Sequence, residues 1–96
     1  MKRAYEITYI LPAGIPEEEQ KTVEERVAEW INTAGGELTK TSHWGRRRLA
    51  YNIGTNREGY YIYLEANIDP EQLKDFDRRM TLEQNIIRYL VVRTEE

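Results

Sequence analysis

The segment Trp44-Gly45-Arg46-Arg47-Arg48-Leu49-Ala50-Tyr51-Asn52-Ile53 sets three consecutive arginines inside a β-strand pattern. Leu49, Tyr51 and Ile53 alternate with Ala50 and Asn52, the period-two signature of a strand buried on one face. If the register runs straight through, Arg46 and Arg48 face away from Leu49 and Arg47 lies on the other side. A guanidinium buried without a partner is very costly, so this strand cannot be covered on both faces. It must be a sheet edge or a hairpin arm projecting beyond the sheet. Either position offers the guanidiniums to a polyanion.

The remaining elements follow from the same kind of patterning. Tyr5, Ile7, Tyr9 and Leu11 share one face of a first strand, stopped by Pro12-Ala13-Gly14. Pro16 suits the first turn of a helix, and Glu17, Glu18 and Glu19 complement its dipole. Val23, Val27, Trp30, Ile31 and Ala34 form one apolar stripe, and Gly35-Gly36 ends the helix. A long strand from about Glu37 to Ile53 is followed by turn residues from Gly54 to Gly59, which predicts a hairpin. The third strand, Tyr60 to Ile68, points Ile62, Leu64, Ala66 and Ile68 to one face. Asp69-Pro70-Glu71 opens a second helix with Leu73, Phe76 and Met80 on its buried stripe. Asn85 to Thr94 reads as a final strand.

The order strand, helix, strand, strand, helix, strand is that of an α+β, ferredoxin-like βαββαβ fold. It predicts a four-stranded antiparallel sheet with two helices on one face. Right-handed crossovers put the first and third strands in the centre and the arginine strand at an edge. The 96 residues are expected to form one domain, 1–96, with a core that needs no staples.

Composition narrows the function. There is no cysteine, hence no disulfide, thiol nucleophile or thiolate metal ligand. The Met1-Lys2-Arg3-Ala4-Tyr5-Glu6 start lacks the apolar run of a signal peptide, and no run reaches the roughly 20 apolar residues of a membrane span. A cytoplasmic protein is expected. The single His43 cannot make a histidine metal site. The formal net charge of −3 argues against nucleic acid, but its distribution argues for it. Residues 17–37 hold Glu17, Glu18, Glu19, Glu24, Glu25, Glu29 and Glu37 against Lys21 and Arg26. Residues 40–57 hold Lys40, Arg46, Arg47, Arg48 and Arg57 and no acid. The first-helix glutamates read as a solvated, dipole-matched face rather than paired catalytic carboxylates. Leu11 to Pro16 lacks the arginine that a phosphate-binding enzyme loop would need there, so no catalytic residue is assigned.

With helices on the Ile7/Ile62 side, the other face carries Glu6, Thr8, Ile10, Tyr61, Tyr63, Glu65, Arg88, Leu90 and Val92. Contiguous exposed apolar surface marks a partner site. Two tyrosines on an open sheet could also stack bases, although the aromatic signature of RNA-recognition folds is absent. A third reading is plain cross-strand pairing.

Trp44-Gly45-Arg46-Arg47-Arg48-Leu49-Ala50-Tyr51 resembles the signature of the bacterial small-subunit ribosomal protein S six family. Arg3-Ala4-Tyr5-Glu6, Gly59-Tyr60-Tyr61 and Asn85-Ile86-Ile87-Arg88 fit that family in order and spacing, so the resemblance covers essentially the whole chain. It implies a ribosomal-protein domain that binds the central domain of small-subunit ribosomal RNA as a heterodimer with ribosomal protein S eighteen. It implies no catalysis, no cofactor, no metal, no membrane and no small-molecule substrate. Two departures stand out. Asn52 replaces the usual proline after Leu-Ala-Tyr, which leaves an edge donor free. The chain also stops at Arg93-Thr94-Glu95-Glu96, where the family commonly carries a tail that helps hold the partner.

The expected RNA-binding residues are Lys2, Arg3, Arg46, Arg47, Arg48, Arg88 and Arg93, with Arg88 and Arg93 open to either RNA or partner. The expected partner-binding residues are Ile10, Tyr61, Tyr63, Leu90 and Val92. Arg78 and Arg79 offset the second helix dipole, His43 is a surface residue, and Trp44 is either core or packed against the arginines. The alternative is a protein-only interaction module, a trimmed or engineered version of this fold without RNA binding.

Overall fold

The structure, a computed structural model, describes residues 1–53 and 56–94, with side chains described for 1–49 and 57–94. The elements are β1 (Arg3–Pro12), α1 (Glu17–Thr33), β2 (Glu37–Ile53), β3 (Asn56–Ile68), α2 (Pro70–Leu82) and β4 (Arg88–Arg93). The sheet order is β2-β3-β1-β4 and every pairing is antiparallel. This is the ferredoxin-like arrangement, with β1 and β3 central and the arginine-bearing β2 at an edge.

Each helix is bounded by local chemistry. Pro16 sits just outside α1 as its cap rather than in its first turn, and its carbonyl accepts from the Gln20 amide at 3.0 Å. At the other end Gly35 adopts φ +71°, Gly35 N–H bonds the Asn32 carbonyl at 2.9 Å and Gly36 N–H bonds the Ile31 carbonyl at 2.8 Å. This pair of bonds is the Schellman stop, which places the left-handed residue where glycine has no steric cost. A side chain at Gly36 would run into the Asn67 and Ile31 carbonyls, so the close approach of the α1 end to β3 requires glycine here. Asp69 caps α2 by accepting from the Glu71 amide at 3.0 Å, with Pro70 at the first helical position.

The core lies between the helices and one sheet face. Tyr5, Ile7, Tyr9 and Leu11 from β1 and Ile62, Leu64, Ala66 and Ile68 from β3 meet Val23, Val27 and Ile31 of α1 and Phe76 and Met80 of α2. Trp30 and Leu73 pack on its margin. Arg26 and Glu83 join at 2.8 Å and tie α1 to the α2–β4 connection, where Glu83 also accepts from the Asn85 amide at 3.2 Å. Those two bonds satisfy a carboxylate whose side chain is nearly covered.

Three expectations are corrected. β3 begins at Asn56, not at Tyr60, because Glu58 and Gly59 pair with Arg48 and Arg47 and continue the ladder. β4 begins at Arg88, not at Asn85, because Glu83 to Ile86 form a turn closed from the Ile86 amide to the Glu83 carbonyl at 3.3 Å. The register of β2 does not run straight: it shifts between Leu38 and Lys40, between His43 and Gly45, and between Arg48 and Ile53. The expected inward faces of Tyr51 and Ile53, and the effect of Asn52, concern side chains outside the described residues, as does the turn at Gly54-Thr55.

Candidate nucleic-acid interface

The bulge between His43 and Gly45 determines how β2 presents its side chains. Ser42 lies opposite Tyr63 and His43 opposite Ile62, and then Gly45 lies opposite Tyr61. Trp44 is the extra residue, and Gly45 takes φ +81°, a left-handed conformation suited to glycine. Straight alternation would set Trp44 on the same side as Arg46 and across the strand from Arg47. In the bulged strand the Trp44 ring instead stacks on Tyr63 of the open face, centroids 5.3 Å apart and planes 8° from parallel. The Arg47 guanidinium lies 5.2 Å from the same indole. Trp44 is thus packed with an arginine and not in the core, and it remains 43% exposed.

The three arginines go to both sides of the edge. Arg46 turns to the helix side and donates from Nη2 to the Ala13 carbonyl at 3.1 Å, bridging β2 to the β1–α1 loop. Arg48 stands opposite Glu58 by register. All three are exposed, and among the described residues none forms an ion pair with a carboxylate. The acidic helix beside them finds another partner: Glu24 meets His43 Nε2 at 2.6 Å and Gln20 at 3.0 Å. His43 is therefore a bonded link between α1 and β2 and not merely a surface residue.

The seven cations expected at RNA do not form one patch. Arg46, Arg47, Arg48 and Arg88 sit toward the end of the sheet where β1 finishes. Lys2, Arg3 and Arg93 sit toward the opposite end, where Tyr5 pairs with Arg93 and Arg3 with Ile68. Nine residue steps of β1 separate Arg3 from the β2 arginines by about 30 Å, whereas the six-residue β4 separates Arg88 from Arg93 by about 17 Å. Arg88 is moreover on the far edge, three strand spacings or about 14 Å from β2. Lys2 reaches Glu37 at 3.9 Å, and Arg3, Arg88 and Arg93 also have partners within the protein.

The five residues expected at a partner do share the open face. Tyr63, Thr8 and Leu90 form one row across β3, β1 and β4, and Tyr61, Ile10 and Arg88 form the next. Leu90 is 62% and Val92 43% exposed. Ile10 is different: it is almost covered, and Gly59 explains how, since a Cβ there would collide with Ile10 Cγ2 and touch Leu49. Ile10 and the buried Leu49 therefore form the floor of this face and present little surface. The Tyr63 phenol donates to Glu65 Oε2 at 3.0 Å. Desolvation, and then the Glu65 and Glu6 carboxylates, push its pKa well up, so it stays a neutral donor. Tyr89, on the helix side of β4, is likewise pushed up by desolvation and by its 2.6 Å bond to Asp77. That bond fastens β4 to α2.

Two features escaped the sequence reading. The packing of Trp44 against an arginine was one of two readings, but its stack on Tyr63 depends on the bulge, and the one available signal was Gly45, a glycine inside a strand pattern. The burial of Leu49 with Ile10 depends on Gly59, which read as turn chemistry. Among the described residues no three His, Asp or Glu side chains are placed to hold a metal ion, and no helix is long and apolar enough to cross a membrane.

Comparison with known proteins fits this geometry. A crystal structure of the 30S ribosomal protein S6 of Thermotoga maritima superposes with a TM-score of 0.91 at 29% identity, over 98% of this chain and 89% of that one. An uncharacterized protein from Thermotoga maritima shares the fold at 14% identity, with a TM-score of 0.61 over 99% of this chain and 100% of that one. The profile of ribosomal protein S6 matches residues 4–93. The chain belongs to the ribosomal protein S6 family, a family of small-subunit ribosomal proteins and not of enzymes.

Proposed function

We propose that this protein binds the central domain of small-subunit ribosomal RNA together with ribosomal protein S eighteen, as a structural element of the ribosome in the cytoplasm. The observation that carries this reading is the β2 edge, where Arg46, Arg47 and Arg48 are exposed and free of described carboxylates. Guanidinium forks match phosphate oxygens, and such contacts position a protein on RNA. Arg88 extends this end of the molecule, while Lys2, Arg3 and Arg93 serve a second, separate contact. The partner docks on Tyr61, Tyr63, Leu90 and Val92, with Ile10 beneath them. No cofactor, metal or small-molecule substrate takes part.

The test is a titration of labelled rRNA central-domain fragment, with and without S eighteen, at two salt concentrations. Tight binding only with both proteins present, weakening with salt by a slope of about 0.9 per duplex phosphate contact, is the expected result. Replacing Arg46 and Arg47 by alanine should weaken binding and lower that slope while the fold survives; unchanged affinity would remove their role. The exposed Leu90 and Val92 favour one competing reading, a module that binds protein alone. Salt-insensitive association with S eighteen and no retained RNA would establish it.

A further inference from the structure

Phosphate neutralisation does not account for Trp44. The half-buried Trp30 packs on the core margin, but Trp44 touches no core residue and is 43% exposed. It reaches its position through a β-bulge and a glycine at φ +81°. Both devices turn Trp44 from the Arg46 side of β2 to the open face beside Arg47. There it lies flat on Tyr63, 5.3 Å away and 8° from parallel, and the Arg47 guanidinium lies over its ring, 5.2 Å from the centroid. The phenol beneath is fixed in turn by its bond to Glu65, whose charge Lys40 meets at 4.0 Å. The ring is therefore held by its neighbours before any ligand arrives.

We infer that Trp44, supported by Tyr63 and capped by Arg47 in the free protein, is a stacking platform for one unpaired RNA base. The inference rests on the rRNA-binding reading above and adds to it the kind of nucleotide recognised at the edge. A flat aromatic under a cation meets both halves of a nucleotide: the base takes the place over the indole that Arg47 holds, and the displaced guanidinium meets the phosphate. Stacking also tolerates any base, because every base has a π-face. The occupant is thus a splayed-out or loop nucleotide next to the segment whose phosphates Arg46 and Arg48 neutralise. A paired base inside a helix could not reach the ring.

The experiment uses the full chain with S eighteen and the labelled rRNA central-domain fragment. Trp44→Phe keeps a stacking ring and should bind within about threefold of the parent. Trp44→Leu keeps bulk without a π-face and should bind about tenfold more weakly. Its salt slope should be unchanged, because no phosphate contact is lost. A merely structural role would lower the melting temperature of both variants and would not separate them in this way. The difference in emission between Trp30→Phe and the Trp30→Phe/Trp44→Phe double variant isolates Trp44, and RNA should quench it. Full affinity of Trp44→Leu with no quenching would overturn the platform and leave rRNA binding intact. Tenfold weaker S eighteen binding by Trp44→Leu, measured without RNA, would assign the stack to the protein contact and overturn it also. Absence of rRNA binding by the parent chain would remove the rRNA reading and the platform together.

Discussion

The two faces of one sheet follow different rules. On the helix side, Tyr5, Ile7, Tyr9 and Leu11 and their β3 partners are sealed by α1 and α2, and each side chain is specified by its neighbours. On the open side Ile10 and Leu49, meeting over Gly59, are covered; Trp44, Leu90 and Val92 remain in contact with water. Period-two alternation builds both faces from the same strands. The difference is that the closed face supplies folding free energy, while the open face is relieved of that task and can be shaped for binding.

Substitutions can break this contrast or sharpen it. The largest expected effect is on the closed face. Phe76→Ala empties a fully buried ring site and should lower stability by about 3–5 kcal/mol in urea unfolding; a cost near zero would mean that α2 does not close the core. Gly59→Ala is the exception on the open face. Its Cβ enters the Ile10 side chain, so it should cost about 1–3 kcal/mol although it removes no contact. A neutral result would show that Ile10 and Leu49 are as loosely held as the rest of that face. Leu90→Ala should be smallest, within about 0.5 kcal/mol of the parent in stability. If S eighteen docks as proposed, the same variant should bind it about fivefold more weakly or worse. A large loss of stability from Leu90→Ala would erase the distinction between the faces.

The closed face was legible because its information is periodic. The stripe Val23, Val27, Ile31 needs a helix, and Tyr5 to Leu11 needs a strand, whatever surrounds them. The caps at Asp69-Pro70 and Gly35-Gly36 were legible because single residues carry their geometry. The edge position of β2 followed from the desolvation cost of its arginines. What the sequence concealed depends on register. One inserted residue at Trp44 changes which side chains are neighbours, and no count of charges reveals it. The division of seven cations between two ends of the sheet was hidden for the same reason: it depends on which way each strand runs. Ile10 looked exposed because the strand that covers it, carrying Leu49, lies far along the chain and beyond β3.

The pairing of β1 with β4 has a consequence for the order in which the molecule assembles. Tyr5 faces Arg93, 88 positions later, and the Thr94 amide closes on the Ala4 carbonyl at 3.0 Å. The β2–β3 hairpin, by contrast, pairs Ile53 with Asn56, three positions later. Bringing distant segments together costs more chain entropy than bringing near ones together. The hairpin is therefore expected to form early and the β1–β4 seam late. β4 is also the shorter edge strand, with six residues paired on one side only. Its amides should exchange with solvent before those of β3, and the seam should be the first part of the sheet to open when the folded protein breathes.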